Sequence, residues 1–174
     1  MTTANLTIAT VQPPVMTVRE LGLPQIAALL GDFGLQLVVV PDGAVIPGTY
    51  WGEPEAGLSG TRLYVRPDTP VHSALHEAAH FLCMPPARRA VLHRDAGGEV
   101  AEENAVCYLQ ILLGEEFSAP GWSRDRLFAD MDAWGYSFRL GSARRWFEQD
   151  ADEALAWLQS RRLADSNGQV NGSG

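Results

Sequence analysis

The spacing of apolar residues changes about halfway along the chain. Two early runs have the composition of β-strands: 35–40 is rich in β-branched residues, and 61–66 alternates apolar with polar side chains. From about residue 70 onward, apolar residues recur every three to four positions, which predicts helices near 70–84, 99–113, 123–134 and 142–163. Strands followed by helices predict an α+β fold, in which a small, partly exposed sheet packs against a mainly helical half.

The two ends of the chain differ from this pattern. Thr17 and Glu20 have the spacing of a capping box, which predicts the start of a first helix. The segment 166–174 has no apolar periodicity and is predicted to be a disordered tail. Since 46% of the 174 residues are apolar, residues 1–165 are expected to form one domain with a core of its own.

Charge narrows the classes of function. The chain has 13 cationic residues, all of them Arg, against 21 Asp and Glu, which gives a net charge of −8. This balance argues against nucleic acid or an anionic membrane as the main partner. The absence of Lys excludes a phosphate-binding P-loop lysine and a Schiff-base lysine. No apolar run approaches the roughly 18 residues of a membrane span, and the start lacks a signal peptide pattern, so we expect a cytoplasmic protein.

The strongest chemical signal is an HExxH motif at residues 76–80, within the predicted helix 70–84. Residues four apart lie on one face of a helix, so His76 and His80 can present two imidazole nitrogens to one metal ion. Glu77 lies about 100° round the helix, where it can act as general base on a metal-activated water. The motif therefore predicts a Zn²⁺-dependent hydrolase, although a structural helix with a chance HExxH is the alternative.

A catalytic zinc site usually has a third protein ligand. Extending the apolar spacing of the predicted helix 99–113 backward reaches Glu102, which therefore begins a face expected to be buried. A buried carboxylate needs a cation, a metal or a proton, and a metal held by His76 and His80 would provide that partner. Glu102 is thus the predicted third ligand. The alternatives that remain open are Glu99, Glu103, His93 and Asp95.

Substrate contacts are less clearly encoded. The predicted strand 61–66 directly precedes the HExxH helix, and as an exposed edge strand it would pair with an extended peptide. An ordinary hairpin strand is the alternative. The Gly-rich segment 48–60 contains Tyr50 and Trp51 and is a candidate rim for the site. Tyr108 and Tyr136 are candidate hydrogen-bond donors to a reacting oxygen.

Taken together, these residues resemble a known family. HEAAH followed by a helix that begins Glu102-Glu103-Asn104 is similar to the zincin metallopeptidases with a glutamate ligand, and most similar to the small ImmA/IrrE-type domain. That family's second motif, E-A-N-x-F-A, has its counterpart in residues 102–107. The resemblance implies a zincin-like fold with the HExxH motif on a central helix. It also implies that His76, His80 and Glu102 bind the metal and that Glu77 is the catalytic base.

The resulting functional hypothesis is a small zinc metallopeptidase that hydrolyses peptide or protein substrates. A non-proteolytic zincin-like module that uses the same pocket for binding or regulation is the main alternative. No helix-turn-helix module is evident in the sequence, so a role in repressor regulation does not follow from the resemblance.

Overall fold

A computed structural model of the protein describes residues 14–91 and 99–172. In this part of the chain the predicted α+β architecture is confirmed. The three strands are β1 (Gln36–Val39), β2 (Gly57–Ser59) and β3 (Arg62–Val65). The helices are α1 (Val18–Leu21), α2 (Leu23–Asp32), α3 (Val71–Cys83), α4 (Pro86–Ala90), α5 (Val100–Gly114), α6 (Arg124–Trp134), α7 (Ala143–Gln149) and α8 (Asp152–Ser160).

The sheet is small, open and mixed. Its strand order is β1-β3-β2, with β1 parallel and β2 antiparallel to β3. Leu63 and Val65 of β3 are fully buried, whereas Arg62 of the same strand is exposed, so the sheet has one face on the core. The predicted capping box is also present, since the Thr17 side chain accepts a hydrogen bond from the Glu20 backbone N–H and the Glu20 carboxylate accepts one from Thr17.

Helices α3 and α5 form the centre of the helical half, where they pack against each other. Helix α3 begins after Pro70 and ends at Cys83, before Pro85, which fits the restriction that proline imposes on the residue preceding it. Every residue of α5 from Ala105 to Gly114 is buried. Helix α5 has α3 and α6 as neighbours and also packs against α8, so it lies between layers and has no solvent-facing side over this stretch.

Three details differ from the sequence prediction. A short helix, α4, follows Pro85 because proline is well suited to the first turn of a helix. The single helix predicted over 142–163 is two helices, α7 and α8, separated at Asp150 and Ala151. Where a disordered tail was predicted, the described residues form a hydrogen-bonded turn, with a bridge between Ala164 and Val170.

None of the helices in residues 14–91 and 99–172 combines the length and the apolar character that a membrane span requires.

Candidate metal centre

The histidines of the HExxH motif project from the face of α3 that meets α5. His76 and His80 are one turn apart, and their ring centroids are 4.7 Å from each other. The Glu103 carboxylate, from the first turn of α5, lies against both rings: Oε1 is 3.2 Å from His76 Nε2, and Oε2 is 3.3 Å from His80 Nε2. One potential ligand atom from each of these three residues lies within 4.8 Å of the other two.

The structure therefore brings Glu103 to the two histidines and does not bring Glu102 there. The Glu102 side chain is only 12% exposed, as its predicted position on a buried face requires. Its cationic partner, however, is the Arg88 guanidinium of α4, which donates two hydrogen bonds to the carboxylate. The Glu103 side chain is 48% exposed. The need for a cation at Glu102 was inferred correctly, but an arginine meets that need.

The choice of Glu102 depended on a stripe that α5 does not have. Because all residues from Ala105 to Gly114 are buried, apolar spacing cannot distinguish one face of this helix from another. The informative residues are polar: Glu103, Cys107 and Gln110 are spaced i, i+4, i+7 and lie on one face. Gln110 hydrogen-bonds to His76, and Cys107 lies close enough to affect the pKa of the same imidazole. Gln110, a polar residue within an apolar run, was the signal available in the sequence.

Gln110 determines which nitrogen of His76 is available to a metal ion. Its amide NH₂ donates to the backbone carbonyl of His72 at 2.8 Å and lies 3.2 Å from the Tyr136 hydroxyl. The amide oxygen therefore faces His76 Nδ1, at 3.0 Å. An amide oxygen only accepts hydrogen bonds, so Nδ1 must carry the hydrogen. Nε2, which lies 3.2 Å from Glu103 Oε1, is then the nitrogen of His76 that is available to bind a metal ion.

His72 and His80, which lie one turn to either side of His76 on α3, are both buried. Burial, with a smaller contribution from the charge of His76, lowers the pKa of His72 to about 3 and that of His80 to about 4. Both rings are therefore neutral at pH 7. His72 Nδ1 lies 3.2 Å from the Tyr136 hydroxyl, whereas His80 Nδ1 is buried and has no hydrogen-bond partner among the described residues. Gln110 thus supports His76 in a way that has no counterpart at His80.

The donor set could hold a metal ion. Two imidazole nitrogens and one carboxylate oxygen are the ligands of a known class of catalytic zinc centre, which leaves a fourth position for water or substrate. Two donor atoms that share a tetrahedral zinc ion are about 3.4 Å apart. Glu103 reaches the two rings through different oxygens, at 3.2 and 3.3 Å, and one donor atom from each of the three residues lies within 4.8 Å of the other two, so the three groups are close enough to converge on one ion. Burial acts to raise the pKa of Glu103, but the hydrogen bond from His76 and the proximity of the two imidazoles lower it overall.

A cavity of about 510 Å³ opens beside this cluster. Glu77, the predicted base, lines it together with His76 and Glu103. The other lining residues come from the Gly-rich segment before β2, from α3 and α5, and from the end of α6 with the residues that follow it: Trp51, Glu55, Ser73, Asn104, Cys107, Trp134, Gly135, Tyr136, Ser137 and Phe138. His76 and Glu77 of the motif and Trp51 of the candidate rim thus share one opening.

The structure places the other residues that the sequence analysis singled out in different environments. β3 is the central strand of the sheet, so the prediction that 61–66 is an exposed edge strand for a peptide is wrong. Tyr136 lines the cavity, whereas Tyr108 stacks on Phe147. Glu99 is the exposed N-cap residue of α5, and its carbonyl accepts a hydrogen bond from the Glu103 backbone. His93 and Asp95 lie outside the described residues.

Comparison of the chain with protein-family models, with curated proteins and with solved structures finds no match in any of the three. Its function has to be inferred from the site.

Proposed function

We propose that this protein is a zinc-dependent metallopeptidase whose metal ligands are His76, His80 and Glu103 and whose general base is Glu77. The observation that carries the proposal is the convergence of the two HExxH imidazoles and the Glu103 carboxylate beside a cavity that Glu77 also lines. In this proposal Glu103 takes the place that the zincin resemblance gave to Glu102. The assignment thus keeps the glutamate-ligand type of site and moves its third ligand by one residue.

A zinc ion held there supplies Lewis-acid chemistry, since it lowers the pKa of water and polarises a carbonyl group. The protein's own residues do the rest. Glu77 accepts the proton of the attacking water and returns it to the departing amine. Gln110 holds His76 in the tautomer that exposes Nε2. The Tyr136 hydroxyl, whose pKa burial raises to about 12, lies at the cavity and is proposed to donate a hydrogen bond to the reacting oxygen.

The shape of the surface supports a peptide as substrate. A second cavity of about 510 Å³ shares three lining residues, Asn104, Ser137 and Phe138, with the first and extends toward α7 and α8. The two cavities therefore lie next to each other, an arrangement that suits a substrate longer than a small metabolite. An extended chain of several residues could lie along them with one peptide bond at the histidine cluster.

The test compares wild type with Glu77→Gln, purified without a histidine tag, in two measurements. Elemental analysis should find about one zinc per chain in both proteins, because Glu77 is not among the proposed ligands. Hydrolysis of an internally quenched peptide library should occur with wild type only, since an amide cannot accept the proton of the attacking water.

A different outcome would contradict each part of the proposal. Absence of retained zinc in wild type would reduce the HExxH motif to a coincidence of sequence. Zinc without hydrolysis of any peptide would favour a metal-binding module without protease activity. Undiminished hydrolysis by Glu77→Gln would exclude Glu77 as the base.

A further inference from the structure

The cavity beside the histidine cluster contains a carboxylate that the proposed chemistry does not use. Glu55, from the segment before β2, is half-buried there, and its Oε1 accepts a hydrogen bond of 2.6 Å from the indole N–H of Trp134. Burial raises the pKa of Glu55, while the hydrogen bond from Trp134 and the charge of His76 act in the opposite direction. Glu55 is therefore a carboxylate in a site where its charge is poorly solvated.

Glu55 differs from comparable carboxylates of this protein in having no cationic partner. Glu102, Asp130 and Asp150 are also partly or fully buried, and each forms an ion pair with an arginine. Glu55 makes no ion pair with any of the residues that the structure describes. Within residues 14–91 and 99–172 this half-buried carboxylate thus has a hydrogen bond from Trp134 and the more distant charge of His76, but no cation in contact with it, which is costly unless a cation reaches it from outside.

The walls around Glu55 suit such a cation. Four aromatic side chains line the cavity, and aromatic faces attract ammonium and guanidinium groups. Trp51 is 78% exposed and contacts Tyr50 edge to face, so it extends the aromatic surface to the cavity mouth. The described lining includes no arginine, and the chain has no lysine that would compete for the carboxylate. An apolar side chain would fill this space too, but it would desolvate Glu55 further without compensating its charge.

We infer that Glu55 determines specificity by binding the cationic side chain of an arginine or lysine residue in the substrate, close to the peptide bond that is cleaved. This inference rests on the proposed peptidase function, to which it adds a substrate class. Glu55 accepts hydrogen bonds from the guanidinium or ammonium group, and the aromatic walls contact the aliphatic stem. The net charge of −8 also attracts a basic peptide at long range.

The binding test uses two compounds of nearly the same shape, N-acetyl-arginine amide and N-acetyl-citrulline amide, of which only the first is charged. Each is titrated into the full chain, with zinc and with a chelator, and the Trp134 indole N–H resonance is followed by NMR. Because this N–H donates to Glu55, its shift reports binding at the carboxylate directly. We expect the arginine compound to bind at least about tenfold more tightly than the citrulline compound.

Two variants separate charge from shape. Glu55→Gln keeps an acceptor for Trp134 and should bring the two affinities to within about twofold, mainly by weakening the arginine compound. Glu53→Gln is the matched control on the same segment, because Glu53 is exposed and accepts a hydrogen bond from the Ile46 backbone N–H, which an amide oxygen also accepts. The control should keep the wild-type preference.

Equal binding of the two compounds by wild type, or a preference for arginine that survives Glu55→Gln, would overturn the inference. A preference for arginine that depends on Glu55, in a protein that cleaves no peptide, would leave the cation site standing and reject the peptidase function. Where cleavage occurs, quenched peptides that differ only by arginine or citrulline should differ in kcat/KM by a similar factor, and Glu55→Gln should remove the difference.

Discussion

Two glutamates next to each other in the first turn of α5 lie in opposite kinds of environment. Glu102 is largely buried and forms its ion pair with Arg88 of α4 rather than with the motif histidines. Glu103 is half exposed, yet it contacts both imidazoles of the HExxH motif. A rotation of about 100° about the helix axis separates a structural ion pair from a candidate metal ligand.

The comparison shows that burial is a poor guide to function for a carboxylate. A buried carboxylate needs a cation, and an arginine is the cation that a protein most often supplies for itself. A catalytic metal ligand instead has to lie at the edge of a cavity, since the metal must keep a position open to water and substrate. The greater exposure of Glu103 is thus consistent with its proposed role.

The largest expected effect is on metal binding at the two glutamates. Glu103→Gln should weaken zinc binding by on the order of a hundredfold or more, because it removes the only anionic ligand of the proposed set. Glu102→Gln should change the affinity by less than about threefold. Competition with a chromophoric chelator measures both, and circular dichroism checks that both variants are folded. A large loss of affinity in Glu102→Gln with Glu103→Gln unaffected would reverse the assignment.

A smaller effect is expected from the support behind His76. Gln110→Leu removes the acceptor of the Nδ1 hydrogen and should lower zinc affinity by about 10- to 100-fold. Gln110→Glu restores an acceptor at this position but loses the donor to the His72 carbonyl. We therefore expect it to recover most of the affinity while remaining less stable than wild type. If Gln110→Leu bound zinc as wild type does, the amide would have no role in positioning His76.

The smallest effect belongs to the other side of α5 and concerns stability alone. Arg88→Met leaves the Glu102 carboxylate without its partner and should reduce the free energy of unfolding by about 1 kcal/mol, a modest value because the Arg88 side chain is 34% exposed. Urea denaturation in the presence of a chelator measures this loss. The double variant Arg88→Met with Glu102→Gln should regain part of it, and zinc affinity should stay at the wild-type value. Loss of zinc in Arg88→Met would show that the Arg88–Glu102 ion pair also supports the metal site, contrary to this prediction.

Much of the secondary structure follows from local signals, and the site follows from them only in part. Strand β1 lies where the β-branched run predicts it, and strand β3 and the helices α3, α5 and α6 lie where the periods of two and 3.6 predict them, because these periods reflect backbone geometry. The break between α7 and α8 was missed, since apolar spacing continues across it. The Arg139 side chain, which forms an ion pair with Asp150 at this break, comes from a loop before α7. Nothing in the spacing within 142–163 encodes that contact.

The sequence by itself determined the half of the candidate site that lies on one helix. His76, Glu77 and His80 are within five residues of each other. Any α-helix places the two imidazoles on one face with the carboxylate beside them, whatever the helix packs against. The third ligand, the support of His76 and the substrate wall come from other elements, so their positions depend on how those elements pack. Only the tertiary structure decided that α5 turns Glu103 and Gln110 toward α3, and that Glu55 meets Trp134 across 79 positions of the chain. Local helix geometry determines which residues share a face. It does not determine which other element that face contacts, because this depends on how the whole core packs.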